Sequence, residues 1–528
     1  MRRGLVTAAC GVALALGGCS STVNPSGGAS ASAEPTASPT PTASSPPVTG
    51  ITPVPSAIVA ENLHVGSSGW RMGGSGYRIA TDRGAEIKGY ASATSVEAGQ
   101  QITLFASVLP VQQLKVDIYR LGWYGGTGGR LMLGGTWLPG ITQRPCPIDA
   151  VTGLRACDWL PTVRFTVPTN WVSGLYLAVL TNADQFQNGV PFVVRADAST
   201  APLLYVQPIT TYQAYNTWPW DDGGRSLYGR NAAVKVSFDR PYAGSGVGKL
   251  YSDQPFAAWL ERAGYNVTYA TSIDLDRQGA ALLLRHRVMV VAGHDEYWTA
   301  GMRAAATTAR DNGVSLAFFA ANNVYWQARL EPAADGRPDR VLVCYKSAVR
   351  DPIADPALKT VRWREPPVNQ PEESLLGAQY TNMVRGRAAW VVVDAGSWVY
   401  RGTNLSNGQQ IADLVFGESD QPTIFPVRDS DPTVVVLSDS PYRTWAGGLG
   451  RSQATLYQAA SGAWVFDAGT FGWPGAVNPF GKPGLPGEPP PTPDLRVERM
   501  TANLLDRMTG VTANPSQVGH GFMATDGE

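Results

Sequence analysis

The segment VVAGHDEYWT, residues 290–299, ends a run of aliphatic residues at Gly293 and passes directly into His294, Asp295 and Glu296. The chain has only four histidines, so one standing two residues from a glutamate calls for an explanation. A His-x-Glu placed where a buried strand leaves the core can offer a carboxylate ligand and a neighbouring acid or base on one short segment. Equally, Asp295 and Glu296 can complement the start of a helix while His294 packs or caps. Both readings stay open at this point. The other histidines argue against a histidine metal triad, because His64 lies near a tether, His286 at a helix end and His520 in the tail. A metal held here would take oxygen ligands, which favours a hard ion. TTYQAYNTWPWDDGG, residues 210–224, brings Tyr212 and Tyr215, which can serve as phenolate ligands or as ordinary amphipathic wall residues.

Other chemistries have weaker support. No G-x-S-x-G elbow follows the later strands, which speaks against a serine triad. GSGVGKL, residues 244–250, lacks the first glycine of a phosphate loop and the Ser or Thr after Lys249, and reads as a flexible loop. YRLGWYGGTGGR, residues 119–130, reads as a strand entering a tight turn, since no helix pattern follows to supply an anion-binding terminus. Cys146 and Cys157 bracket a short polar loop and are expected to be bridged in an oxidising exterior, leaving Cys344 unpaired.

These residues need elements to position them. Over residues 58–196, short alternating runs (QITLFASVL, QLKVDIYRL, VRFTVP, GLYLAVLTN, VPFVVRA) separated by Gly, Pro and Asn predict an immunoglobulin-like β-sandwich. Over residues 197–510 the texture becomes α/β. LLYVQP, NVTYAT, VMVVAG and SLAFFAA read as strands, with helices at DQPFAAWLERAG, GAALLLR and residues 297–313. AWVVVDAG, TVVVLSD and GAWVFDAGTFGW are expected to complete the same sheet, before a proline-rich spacer at 485–494, a last helix at VERMTANLLDRM and a flexible tail from 511 to 528. In an open α/β sheet, ligands bind beyond the carboxyl ends of the strands, which singles out His294 to Glu296 and Asn322 with Asn323.

The ends set the compartment. Residues 1–18 carry two arginines and a short apolar core that predict a secretory signal, and Leu16-Gly17-Gly18-Cys19 is similar to a lipobox, which would leave Cys19 as a lipidated N-terminus. Residues 19–57, rich in Ser, Thr, Pro, Ala and Gly, are expected to be a disordered tether, so the protein would sit outside the cytoplasm, held to the cell membrane by lipid. Forty-two basic residues balance forty-two acidic ones, which gives no footprint for nucleic acid.

Taken together, SGLY (173–176), AYN (214–216), GHDEYW (293–298), ANNVYWQAR (321–329), VCYK (343–346), FGESD (416–420) and GAWVFDAGTFGW (462–473) resemble the large-subunit family of N,N-dimethylformamidase, over about residues 85 to 510. The resemblance implies a β-sandwich joined to a domain resembling class I glutamine amidotransferases. It also implies a mononuclear Fe(III) site with Tyr176, Tyr215 and Glu296 as ligands. His294, Asn322, Lys346 and Glu418 become the catalytic groups, His294 or Glu418 as proton shuttle and Asn322 with Lys346 as oxyanion stabilisers. Asn322 stands where an amidotransferase keeps its nucleophilic cysteine, so a metal-activated water is the natural substitute.

The expected partners are a small amide substrate, the membrane through the N-terminal lipid, and a small partner subunit or further copies of this chain. Two other functions compete. Sixteen Trp and twenty Tyr can line a glycan or peptide groove in a non-catalytic cell-envelope binding protein. A Cys344/His294 hydrolase requires those two side chains within hydrogen-bond reach.

Overall fold

Strand Gln101–Val108 and the first half of Gln113–Leu121 alternate buried and more open positions, the period-two signature of sheets with one covered face. In the computed structural model, Ile87–Ala91, Gln101–Val108 and Val163–Thr166 form one antiparallel sheet. Gln113–Leu121, Gly174–Asn182 and Phe186–Arg195 form the middle of a second. Ile102, Leu104 and Ala106 from the first meet Val116, Ile118, Ala178 and Phe192 from the second in a common core. The bridge between Cys146 and Cys157 closes the expected loop. YRLGWYGGTGGR is a strand, a tight turn and a return strand, Gly129–Leu133.

Strand Gly174–Asn182 is buried along its whole length. Tyr176, Ala178 and Leu180 face the core between the two sheets, while Leu175, Leu177 and Val179 join Leu203, Tyr205 and Tyr269 in a second core behind it. One strand therefore closes two interiors. Arg120 reinforces the junction: it grips Glu261, on helix Leu250–Arg262, through two parallel bonds of 2.7 and 3.0 Å, both side chains being fully buried.

The largest later sheet runs Val267–Thr271, Leu203–Gln207, Val288–Val291, Ser315–Phe318, Trp464–Asp467, Thr455–Gln458 and Val435–Val436. The first five strands are parallel and the last two antiparallel. Both faces are covered, with Tyr205, Val288 and Val290 in one core and Leu204, Met289 and Val291 in the other, which explains the unbroken aliphatic runs. The chain is thus mixed α/β, with many strands and few helices.

Two expectations need correction. Tyr297–Thr299 is a strand, paired with Trp326–Glu331, and the helix begins only at Ala300 and ends at Asp311. Tyr297 and Trp298 are both fully buried, and the Thr299 side chain accepts from the Met302 amide at 3.1 Å, so the cap fixes the later start. AWVVVDAG does not join the large sheet. It ends a two-stranded ribbon of its own, Gln379–Val391 with Gln410–Gln421, whereas TVVVLSD and GAWVFDAGTFGW do contribute strands to the large sheet.

The structure describes residues 56–220, 223–229, 231–423, 433–481 and 493–512. The expected signal, Cys19, nearly all of the tether, most of the proline-rich spacer and most of the tail lie outside the described residues. Among the described residues no helix is long and apolar enough to cross a membrane.

Candidate functional site

Leu203–Gln207 comes first in the chain among the parallel strands, with the second on one side and the third, Val288–Val291, on the other. That reversal creates a crevice at the strands' carboxyl ends. Helix Ile209–Ala214 follows the first strand and ends at Tyr215, while the third strand leads to His294 and Glu296. The two segments are tied together, because Thr211 Oγ1 accepts from the Glu296 and Tyr297 amides at 2.9 and 3.2 Å. The Glu296 carbonyl in turn accepts from the Tyr325 and Trp326 amides, each at 2.9 Å.

At the mouth of this crevice the Tyr215 hydroxyl donates to Glu296 Oε2 at 2.5 Å. His294 Nε2 stands 3.3 Å from Glu418 Oε2 and 3.6 Å from Glu296 Oε2. Neither approach has hydrogen-bond geometry, and both ring nitrogens are buried without a partner. Glu418 Oε2 accepts from Asn322 Nδ2 at 2.7 Å. Asn322 adopts a left-handed backbone, φ 52°, held by Asp420, whose two oxygens each accept from the Asn322 amide at 2.9 Å. Five residues expected to act together, Tyr215, His294, Glu296, Asn322 and Glu418, therefore form one constellation. Lys346 joins it from the side, its ammonium 4.6 Å from the Trp326 ring centre and 5.2 Å from that of Tyr297.

Tyr176 does not belong there. It projects into the core between the two N-terminal sheets, where it stacks on Trp171 and its hydroxyl donates to the Val172 carbonyl at 2.7 Å. The cause is strand alternation, which turns Leu175 and Leu177 toward the α/β layer and Tyr176 away from it. Tyr212 is spent on Asp253, to which its hydroxyl donates. Asp295 is fully buried, beside Asp253. Cys344 is fully buried with its thiol donating to the Gln327 carbonyl at 3.6 Å, and burial pushes it up to about 12, so it is a thiol without a base.

Sequence reasoning missed two site residues. Lys249 lies 4.0 Å above the Tyr215 ring centre, at the start of helix Leu250–Arg262. The glycines of GSGVGKL bring it there: Gly246 has φ 83°, and a Cβ at that position would sit 2.2 Å from the Gly189 carbonyl oxygen. Phe471 lies 4.6 Å from the His294 ring, a contact that requires Gly417, where a Cβ would come within 2.4 Å of Phe471. A lone lysine in a glycine-rich loop just before a helix was the available signal for the first, whereas Phe471 gave none.

The electrostatics follow from burial. Desolvation raises Glu418 to about 8, and the nearby Glu296 adds to it. Desolvation likewise raises Glu296, although Lys346 and the Tyr215 hydrogen bond pull the other way. His294 is held well below its ordinary value by burial first and Lys249 second. Near neutral pH the pocket thus holds a neutral imidazole beside a protonated Glu418. Phenol, carboxylates and imidazole are a donor set that suits a hard or borderline cation, with the two orphaned ring nitrogens as further vacant donors. Among the described residues, no group of three His, Cys, Asp or Glu side chains forms a metal cluster.

The chain is similar to known proteins. The N,N-dimethylformamidase beta subunit of an Alcaligenes species is 26% identical over 223 residues, which covers 34% of this chain and 29% of that protein. The N,N-dimethylformamidase beta subunit of Paracoccus aminophilus is 33% identical over 125 residues, covering 23% and 16%. The matched stretches thus span less than a third of those relatives. Among solved structures, a Paenibacillus cycloisomaltooligosaccharide glucanotransferase complexed with cycloisomaltoheptaose aligns over 44% of both chains at 9% identity, but its TM-score of 0.17 carries no argument. Residues 115–485, most of the chain and the whole of the constellation, match one family throughout, and the chain belongs to the N,N-dimethylformamidase beta subunit-like, C-terminal family.

Proposed function

We propose that this chain is an exported, lipid-anchored amide hydrolase that cleaves the C–N bond of a small amide at the crevice between Tyr215 and Glu418. The observation that carries the reading is the meeting of Tyr215 and Glu296 at 2.5 Å beside a neutral His294 and a protonated Glu418. The family membership supports the same class of chemistry.

Tyr215 and Glu296 would hold a ferric ion, with the buried, unpartnered Tyr297 hydroxyl as the second phenol in place of Tyr176. When bound, that ion supplies Lewis acidity toward a carbonyl oxygen and toward water. The chain's own residues do the rest. Water adds to the amide carbon while His294 Nε2, neutral and unpartnered, accepts its proton. The C–N bond then breaks as Glu418, kept protonated by burial, gives its proton to the departing nitrogen. Asn322 Nδ2 and the Lys346 ammonium orient the carbonyl oxygen and offset the charge it gains. The products are a carboxylic acid and an amine.

The finer kinships, an immunoglobulin-like sandwich and a class I glutamine amidotransferase-like layer, belong to the same proposal. So do the lipid on Cys19 and a small partner subunit, the latter supported by relatives that are named beta subunits. The test is to purify the protein with iron supplied, measure its iron content and visible absorption, and assay amine release from simple formamides. Stoichiometric iron, a phenolate charge-transfer band and amine release are expected. Colourless, iron-free protein with no amine release would leave the binding-protein reading.

A further inference from the structure

Behind the Tyr215 segment, between the N-terminal sheets and the α/β layer, lies a cavity of about 20 Å³, lined by Tyr90, Thr94, Pro191, Phe238, Arg240 and Tyr242 among others. Such a volume holds one water or one small ion. Arg240 is the only ionised group in the lining and is almost fully buried. Two of its donors reach main-chain carbonyls, those of Asn216 at 2.8 Å and Arg225 at 3.2 Å, while Nε is buried without a partner. No carboxylate pairs with it among the described residues; the adjacent Asp239 is taken by Arg337 and Arg340. Arg155, close enough to repel it, likewise has a buried Nε without a partner. Burial first and Arg155 second push Arg240 down to about 9.

A guanidinium removed from water with no counter-charge is among the costliest arrangements a fold can contain. Arg120 and Lys88, equally buried, are by contrast each balanced by a carboxylate, Glu261 and Asp82. The uncompensated charge, the orphaned donor and a cavity of ionic size coincide at Arg240. We infer that this cavity is a binding site for a small monovalent anion of halide size, which supplies the missing counter-charge to Arg240.

Occupancy would be felt at Tyr215. Arg240 holds the carbonyl of Asn216, the next residue in the chain, and the Asn216 side chain bonds the Pro241 carbonyl at 2.9 Å and the Ala243 amide at 3.1 Å. An anion that fixes the guanidinium therefore tightens the loop that carries the phenol. Binding itself does not depend on the amidase reading.

The test uses the whole folded protein. Its thermal midpoint is compared in sodium bromide and in sodium gluconate at equal ionic strength, which removes general screening, and crystals soaked in bromide are examined for anomalous scattering. A bromide peak in contact with Arg240 is expected, with a midpoint about 3 °C higher in bromide than in gluconate. In Arg240→Met the two salts should give the same midpoint. If that variant does not fold, the two wild-type measurements decide. A bromide-free cavity in the soaked crystal overturns the inference, as does a wild-type midpoint indifferent to the anion.

Discussion

Glu418 and Asp420, two positions apart on one strand, grip Asn322 from two directions, Glu418 at the side-chain amide and Asp420 at the main-chain amide. The first contact sets where the Glu418 oxygen lies, and the second sets the left-handed turn from which Asn322 reaches it. Asp420 in turn leans on Asp467, and burial raises both carboxyls. Asn322→Gly keeps the backbone form and deletes the donor. Because that donor lowers Glu418, which burial raises to about 8, its loss should move the alkaline limb of kcat/KM to higher pH. The rate should fall by about 10²-fold or more. An unmoved limb in the pH–rate profile would remove Glu418 from the proton-donor role.

Tyr215→Phe and Tyr176→Phe should separate cleanly. Each deletes one hydroxyl hydrogen bond, so each should cost about 1 kcal/mol in a denaturant titration. Tyr215→Phe should also lose iron and visible colour, whereas Tyr176→Phe should retain both, because its hydroxyl serves only the Val172 carbonyl. Equal iron loss in the two variants, by elemental analysis, would contradict the assignment.

Acid stability should depend on Asp351. Burial acts to raise its pKa, but hydrogen bonds from Arg329 at 2.6 and 3.0 Å and from Thr360 at 2.6 and 2.8 Å outweigh it and hold it at about 2. The folded value lies below the ordinary 3.8, so the stabilisation is fully present above pH 3.8 and disappears as pH falls toward 2. Asp351→Asn should lower stability at neutral pH by about 1–2 kcal/mol after solvent screening. It should also flatten the fall in thermal midpoint between those two pH values.

Reducing the Cys146–Cys157 bridge, or replacing both cysteines by serine, should cost about 2–3 kcal/mol, as expected for closing a short loop. Thermal midpoints with and without reductant would measure it. The site lies elsewhere, so iron content should not change.

The strands were largely legible because burial on one face forces alternation and burial on both forces aliphatic runs. QITLFASVL and VMVVAG illustrate the two cases. His294 and Glu296 could be singled out because they follow such a run at a strand's carboxyl end, although the same residues fit the start of a helix equally well. Tyr176 was misplaced because a motif fixes neighbours in the chain but not the face of a strand. Lys249 escaped because its placement depends on a backbone passing within contact distance of Gly246, which no local pattern records. The late start of helix Ala300–Asp311 escaped because three buried residues paired with a distant strand overrode a continuous helical period.

Since strand Gly174–Asn182 seals two interiors at once, the N-terminal layers are a foundation for the α/β half and not an ornament upon it. Severing the chain near residue 197 would strip the cover from Tyr205 and Tyr269 and leave Glu261 without its Arg120 partner. Such a fragment would be recovered as aggregate. Fusion and recombination events in this lineage would have to carry both halves as one inheritance.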